Sequence, residues 1–121
     1  MFNQSAENSI DADLGSGGAL VLPDLTDSSG RIRNRAIGAG KDANIYVVDR
    51  DSMGKFNPGA NKVYQEIQGI FPNALYSMPV FFNNTVYHGA VGDSIKAYGI
   101  SNAHLSSTPA SHNPNAFPYR G

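Results

Sequence analysis

The fold of this chain is decided by two similar stretches: AIGAGKDANIYVVDRDSMGK at residues 36–55 and VYHGAVGDSIKAYGISNAHL at residues 86–105. In both, a short apolar segment leads into Gly-Ala, a Gly/Asp turn follows, and a second segment carries Ile and Tyr. Gly38 aligns with Gly89, which gives a period of 51 residues. A period of this length indicates a propeller or solenoid array, in which one repeat cannot bury its own apolar face.

The segments around these stretches predict up to four short antiparallel strands in each repeat. Residues 45–49 (IYVVD) are rich in the β-branched and aromatic side chains that favour strands. Asn83 and Asn84 separate two apolar segments and predict a hairpin, since Asn accepts a positive φ. We therefore expect an all-β fold, a partial β-propeller of about two four-stranded antiparallel blades.

The chain divides into four predicted parts. Residues 1–14 are polar and patternless and are expected to be a linker or loop. Residues 15–71 are predicted to form the first blade and residues 76–112 the second, followed by residues 113–121 as an extended tail into a missing blade. The apolar spacing within residues 62–71 fits a helix or a strand. The repeat favours the strand.

Composition excludes several classes of function. The net charge is −1 with 9 Lys+Arg against 10 Asp+Glu, so the chain lacks the basic surface that nucleic-acid binding requires. The sequence contains no Cys, and therefore no disulfide, thiolate metal site or Cys nucleophile. No apolar run approaches the length of a membrane span, and the N-terminus does not read as a signal peptide.

Two propeller blades alone leave apolar faces and strand edges exposed. Propellers typically close with four to eight blades. We therefore expect the partners of this chain to be the remaining propeller blades or further copies of the chain itself. A protein or carbohydrate partner is also possible on sequence grounds, and none is specified by a motif.

The first half of the chain shows an ordered set of motifs: Asp-x-Asp, strand, turn, strand, Lys-Asp, a strand ending in Asp-Arg, and Gly. The residues that carry them are Asp11 and Asp13, Ala19–Leu22, Gly30-Arg31, Ala36–Asp42, Ile45–Arg50 and Gly54. In this order, residues 11–55 resemble a stretch of the quinoprotein alcohol dehydrogenases. Those enzymes are eight-bladed propellers that hold pyrroloquinoline quinone (PQQ).

The whole chain resembles more closely the non-enzymatic, secreted bacterial proteins built from PQQ-type repeats. The motifs that carry this resemblance are DLGSGG, GAGKD, IYVVDR, SHNP and FPYRG. This resemblance implies a periplasmic or extracellular location. The resemblance covers nearly all of the chain. The chain itself is well short of a full propeller.

The resemblance to the dehydrogenases implies a cofactor-binding role for Lys41. The matching Lys or Arg of those enzymes reaches toward the quinone oxygens of PQQ, where a cation polarises the carbonyl. The alternative is a solvated Lys in a turn between strands. The enzymes also need a catalytic Asp and a calcium-ligand set from other blades, so we predict no catalytic residue here. PQQ and calcium are expected only if the chain is a dehydrogenase fragment.

Asp11 and Asp13 are the candidate metal ligands. They precede a Gly-Ser-Gly-Gly turn and supply carboxylate oxygens at alternate positions, as a calcium loop does. They lack the later carboxylates and the terminal Glu of an EF-hand. The alternative is a pair of Asp residues that cap the turn.

The other polar residues predict structural roles. Arg31, Arg33 and Arg35 share a strand face that we expect to be solvated, and residues 49–51 (Asp-Arg-Asp) are expected to form local ion pairs. The histidines His88, His104 and His112 show no metal-ligand spacing. A hydrogen-bonded structural role is predicted for the first of them, which lies inside a strand.

The sequence therefore supports a non-catalytic scaffold or binding surface within a larger secreted protein. The alternative is a fragment of a PQQ-dependent alcohol dehydrogenase. A third interpretation is a truncated reading frame with no activity of its own.

Overall fold

The computed structural model describes residues 3–119, which are mostly strands with little helix. A short helix, α1 (Gln4–Ser9), and a 3-10 turn (Leu14–Ser16) come first. The strands that follow are β1 (Ala19–Val21), β2 (Leu25–Thr26), β3 (Ile32–Arg33), β4 (Arg35–Ala39), β5 (Ile45–Asp49), β6 (Gln65–Ile67), β7 (Val80–Phe82), β8 (Thr85–His88), β9 (Asp93–Ser101), β10 (His104–Leu105) and β11 (Ser111–Phe117). The predicted all-β class is confirmed.

The first sheet is an antiparallel meander in the order β1-β4-β5-β6. The strand β5 coincides with the predicted residues 45–49, and its side chains pack on both sides of the sheet. A small hairpin of β2 and β3 continues the β1–β4 pair beyond the sheet. The strand predicted within residues 62–71 is present as β6, although it covers only three residues.

The second sheet has the order β7-β8-β9, and β10 and β11 both pair with the remaining edge of β9. The predicted hairpin at Asn83 and Asn84 is confirmed, since both residues have positive φ values of 47° and 54°. Asn adopts this left-handed conformation more readily than most residues, which explains its use in this tight turn.

The tail predicted to leave the domain instead pairs with this chain's own second sheet. The strand β11 runs from Ser111 to Phe117 and lies antiparallel to β9, with a register irregularity between His112 and Ala116. That irregularity accommodates Pro114, which has no N–H to donate to a ladder. Of the predicted tail, residues 120–121 lie outside the described part of the chain.

The predicted N-terminal linker contains a helix, which corrects the expectation of a loop. The backbone N–H groups of Ala6 and Glu7 donate to the Asn3 carbonyl and close the first turn. The Asn3 side-chain amide also donates to the Glu7 carboxylate at 2.6 Å. These contacts need no apolar stripe, which is why hydrophobic periodicity did not indicate the helix. Residues 1–2 of this predicted part lie outside the described residues.

The buried apolar side chains of residues 3–119 form a hydrophobic core between the two sheets. The first sheet contributes Ile37, Ala39, Ile45, Val47 and Ile67, and the second contributes Val86, Tyr98 and Leu105. Phe71 and Leu75, from the segment that connects the sheets, fill the space between them. Neither sheet closes on itself.

The hairpin ladders define equivalent positions in the two sheets. Ile37 pairs with Val47 in the first sheet, and Tyr87 pairs with Ala97 in the second, so equivalent residues are 50 apart. The sequence alignment on Gly38 and Gly89 gave 51 and was wrong by one residue. Side chains alternate between faces along a strand, and a shift by one residue exchanges the faces.

We call the face of Ile37, Ile45 and Val47 the front of the first sheet, and the face of Ala36, Gly38 and Val48 its back. By the equivalence of positions, the front of the second sheet carries Tyr87, Ile95 and Ala97. Its back carries Val86, His88 and Tyr98.

Candidate functional site

The three residues predicted to bind PQQ or calcium lie together and contact one another. Lys41, in the loop between β4 and β5, places its Nζ 2.6 Å from Asp11 Oδ2 and 3.0 Å from Asp13 Oδ2. The chain approaches itself here because the Lys41 backbone N–H donates to the Asp13 carbonyl at 3.0 Å. Asp11 adopts a positive φ of 56°, which turns the chain out of α1 toward this loop.

The electrostatics of this cluster are those of a surface ion triplet. The hydrogen bond from Lys41 lowers the pKa of Asp11, and the hydrogen bonds to Asp11 and Asp13 raise the pKa of Lys41. The two carboxylates therefore stabilise the charged form of Lys41, and Lys41 stabilises the charged form of Asp11. The ammonium group lies where a cation ligated by the two carboxylates would lie.

A cleft of about 560 Å³ opens beside this triplet and is lined by Ile10, Asp11, Ala12, Lys41, Ala74 and Tyr76. Residues 3–119 contain no group of three or more His, Asp or Glu side chains that could hold a metal ion. A calcium ion here would have two carboxylates and would compete with an ammonium already bound to both. Calcium usually takes six to eight oxygen ligands.

The two sheets pack on each other through opposite faces. The front of the first sheet packs against the back of the second, because the Gln65 side chain on that front bonds to the backbone of Leu105 in both directions. Its amide nitrogen donates to the Leu105 carbonyl at 2.7 Å, and its oxygen accepts from the Leu105 N–H at 3.1 Å. The sheets therefore stack front to back.

The front of the second sheet is apolar and exposed to solvent. Its large exposed side chains are Val80, Phe82, Tyr87 and Ile95, with Met78, Phe117 and Tyr119 at the margins. A cleft of about 460 Å³ runs between this face and the residues that follow β11. Grouped apolar exposure of this kind marks an interaction surface more often than scattered exposed residues do.

On the back of the first sheet, the side chains other than Tyr46 and Glu66 are small and apolar. Val21 pairs with Ala36, and Ala19 pairs with Gly38, across the β1–β4 ladder. A shallow apolar depression of about 270 Å³ lies here and includes Gly38, Ala19, Val48 and Tyr46. The Tyr46 hydroxyl turns to the Asp42 carboxylate, and burial raises the pKa of this tyrosine above its usual value.

Arg35 is buried, which corrects the prediction of a solvated arginine face. Its Nη1 lies 2.7 Å from Asp49 Oδ2, and its guanidinium carbon lies 3.7 Å above the Tyr64 ring. Asp49 therefore pairs across the strands rather than within residues 49–51. The pKa of Asp49 is lowered, first by the backbone N–H of Asp51 and then by Arg35.

The partners of the other two arginines differ from those of Arg35. Arg33 forms a half-buried ion pair with Asp27 at 2.7 Å, and several hydrogen bonds, from Ser29 above all, lower the pKa of that carboxyl. A polar cleft of about 450 Å³ lies between these pairs and the second sheet. On the opposite wall, His104 Nδ1 lies 2.8 Å from the Tyr64 hydroxyl.

His88 is buried without the hydrogen bond that the sequence predicted. It is 2% exposed, and neither ring nitrogen has a hydrogen-bond partner among the described residues. Its ring lies 5.5 Å from that of Phe71 and 6.2 Å from that of Tyr98. Burial lowers the pKa of His88 to about 4 and raises the pKa of Tyr98 to about 12.

Comparison with known proteins found no match to a protein family, to a curated protein or to a solved structure. Within residues 3–119, no helix is long and apolar enough to cross a membrane.

Sequence reasoning missed the two exposed faces as particular sets of residues. The alternation within β8 and β9 was visible in the sequence. The face that each residue occupies depends on the alignment of the two repeats, which was wrong by one residue. The burial of Arg35 was missed because alternate spacing grouped it with Arg31 and Arg33 on one strand face that was expected to be solvated. The signal that could have found it is the Asp49 at the far end of the paired strand.

Proposed function

We propose that this chain is a non-catalytic, PQQ-like β-propeller repeat region that acts as a scaffold or binding surface within a larger secreted bacterial protein. Its two sheets are two successive blades, and the exposed faces receive the blades on either side. The single observation that supports this proposal most strongly is the front-to-back stacking of the two sheets.

Front-to-back stacking has a consequence that front-to-front stacking lacks. When two sheets meet front to front, each buries the same face and the pair is complete. When they meet front to back, one front and one back stay free, and each has the chemistry of the face that is already covered. Ile45 is 0% exposed, whereas the equivalent Ile95 is 43% exposed. A further sheet on Ile95 would restore the equivalence.

The alternative, a fragment of a PQQ-dependent alcohol dehydrogenase, has less support from the geometry. It needs Lys41 to point its ammonium at a quinone oxygen, and this ammonium is bound to Asp11 and Asp13. To reach a cofactor, Lys41 would have to leave two carboxylates that favour its charged form. We therefore prefer the scaffold.

A tandem fusion tests the stacking on which the scaffold proposal depends. Two copies of the chain are joined from the end of one to the start of the next by about 20 Gly/Ser residues, a flexible linker long enough not to dictate the geometry. If the faces receive further blades, the front of the second sheet in copy one covers the back of the first sheet in copy two. The thermal midpoint of the tandem should then exceed that of the single chain.

The matched controls place one Lys either on a face at the junction between the copies or on a face at a free end. Phe82→Lys in copy one, or Val21→Lys in copy two, should remove the gain in midpoint. Phe82→Lys in copy two, or Val21→Lys in copy one, should leave it, because those faces lie at the free ends. A tandem that melts like the single chain would overturn the proposal, as would equal effects of the same substitution in both copies.

Titration calorimetry with PQQ and calcium tests the dehydrogenase alternative. The scaffold proposal expects no saturable heat with either ligand. Stoichiometric PQQ binding that is lost in Lys41→Ala and kept in Lys62→Ala, a lysine outside the triplet, would favour the dehydrogenase fragment.

A further inference from the structure

We infer that the front of the second sheet binds the back of the first sheet of a second copy of this chain, so that the isolated protein associates head to tail. This inference deepens the proposed function, on which it rests, by naming the partner of the exposed faces. It concerns separate molecules, whereas the scaffold proposal concerns blades within one protein.

The front of the second sheet supplies the projecting side of the contact. Phe82 is 70% exposed and lies beside Val80 and Tyr87 on the same face, since β7 and β8 are paired in that register. These are large apolar side chains that lose little conformational freedom on burial. A few well-packed residues carry most of the binding energy of an interface, and tyrosine is enriched among them.

The back of the first sheet supplies the receiving side. Gly38 has nothing within 4 Å of the position that a Cβ would occupy, so the centre of this face is open. Ala19 and Ala36 border that opening, and Val21 and Val48 frame it. A face of small side chains with an apolar depression is complementary in shape to one with projecting rings, and not to another face like itself.

Charge does not oppose the contact. The central positions of the two faces carry no ionised side chain: Val80, Phe82, Tyr87 and Ile95 on the front, and Ala19, Val21, Ala36, Gly38 and Val48 on the back. The carboxylates of these faces lie at their margins, Glu66 on the edge strand β6 and Asp93 at the start of β9. Burial of both faces would therefore leave no uncompensated charge at the centre of the interface.

The contact inside the chain already shows the same combination of faces, because the front of the first sheet packs on the back of the second. A second copy would repeat that step and use one front and one back. Such a heterologous interface leaves each end of the assembly open, so it forms rings where the rotation closes and filaments where it does not. Assembly size should therefore grow with concentration rather than stop at a dimer.

Sedimentation velocity of the complete chain at increasing concentration tests this inference. The wild type should show species heavier than the 12.9 kDa monomer, in proportions that rise with concentration. Phe82→Lys and Val21→Lys should each weaken association by at least about thirtyfold, the effect of losing one central interface residue. Both residues are largely exposed, so circular dichroism should show an unchanged fold.

Phe56→Lys is the matched control, because Phe56 is 71% exposed in a loop outside both faces. It should associate like the wild type. The decisive sample is an equimolar mixture of Phe82→Lys and Val21→Lys. Each variant keeps the face that the other has lost, so the mixture should form dimers and nothing larger.

A wild type that stays monomeric at millimolar concentration would overturn the inference. So would self-association of Val21→Lys alone, which would mean that two fronts meet, or equal loss of association in Phe56→Lys. The tandem fusion separates this failure from that of the proposed function. A stabilised tandem with a monomeric single chain would leave the scaffold proposal standing and remove only the association between chains.

Discussion

The fronts of the two sheets carry similar apolar side chains at equivalent positions, and only one of these faces is covered. Ile37 and Ile45 on the first front are buried beneath the second sheet, whereas Tyr87 and Ile95 on the second front face solvent. The positions are apolar in both sheets, so the difference in exposure comes from the neighbouring sheet. An apolar pattern thus reports that a face is built to be covered, and it does not report what covers it.

The two backs differ in a second way. The covered back of the second sheet carries His88 and Tyr98, large side chains whose polar atoms have no hydrogen-bond partner among residues 3–119. The back of the first sheet, which no sheet of residues 3–119 covers, carries the half-buried Gly38 and Val48 at the equivalent positions. Burial of His88 and Tyr98 costs free energy, because their polar atoms lose the hydrogen bonds that water would make with them.

The largest expected effect is that of breaking the buried ion pair at one end of the covered front. Asp49→Ala leaves the guanidinium of Arg35 buried and unpaired, and it should lower the free energy of unfolding by about 4 kcal/mol. Urea unfolding followed by circular dichroism measures it.

Arg35→Met is the control for this pair, because it removes the buried charge and keeps an apolar stem under Tyr64. It should cost less than Asp49→Ala. The exposed front has Thr85 and Gly99 at the equivalent positions, with no charge to bury. Equal costs for the two substitutions would show that packing, rather than the unpaired charge, governs this corner.

The next effect compares the two fronts directly. Ile45→Ala should lower the free energy of unfolding by about 3 to 4 kcal/mol, since it removes a buried side chain and leaves a cavity. Ile95→Ala, at the equivalent exposed position, should change it by less than about 1 kcal/mol at concentrations where the chain is monomeric. Similar losses for both variants under those conditions would mean that the second front is also covered within one molecule.

The sequence predicted the strands better than their faces. The β5 strand and the turn at Asn83 and Asn84 were correct because local composition determines both. The helix α1 was missed because hydrogen bonds around Asn3, rather than apolar periodicity, hold its first turn. The final strand β11 was missed because Pro114 and the polar residues around it indicate an irregular tail.

The candidate site was predictable in part. Lys41, Asp11 and Asp13 were each singled out, and they do lie together, but the sequence did not indicate that they would bind one another. That contact depends on residues 11–13, which follow α1 and lie against the loop after β4, where the Lys41 N–H donates to the Asp13 carbonyl. The exposed front of the second sheet could not be predicted, because an error of one residue in the alignment exchanges the two faces of each strand.

Acid should destabilise the protein through His88. Its pKa is about 4 in the fold against 6.5 in an unfolded chain, so the unfolded state binds the proton first as the pH falls. The fold should lose about 3 kcal/mol of stability between pH 6.5 and pH 4, and none through this group above pH 7.

Thermal or urea unfolding across this pH range measures the effect, with His88→Phe as the control. The variant should lose most of the dependence between pH 6.5 and pH 4. Lys96, which pairs with His88 in the β8–β9 ladder, has its ammonium 2.6 Å from the Asp93 carboxylate, and burial is the cause of the lowered His88 pKa. An unchanged pH profile in His88→Phe would assign the acid sensitivity to the carboxylates instead.

The smallest effect is expected at the surface triplet. Lys41→Met should change the thermal midpoint less than any substitution above, because its partners Asp11 and Asp13 are exposed and their interaction is screened. In the variant, the pKa of Asp11 should rise toward its usual value, since the hydrogen bond that lowers it is gone. Carboxyl chemical shifts followed by NMR measure this, and an unchanged Asp11 titration would show that the triplet does not form in solution.

The front-to-back arrangement is tested most directly by nuclear Overhauser effects from Phe71, which lies between the sheets. Its ring lies 5.5 Å from His88 and 6.2 Å from Tyr98, both on the back of the second sheet. We predict cross-peaks from the Phe71 ring protons to both rings, and none to Tyr87. Cross-peaks from Phe71 to Tyr87 or Ile95 would mean that the second sheet turns its front inward, and they would contradict the account.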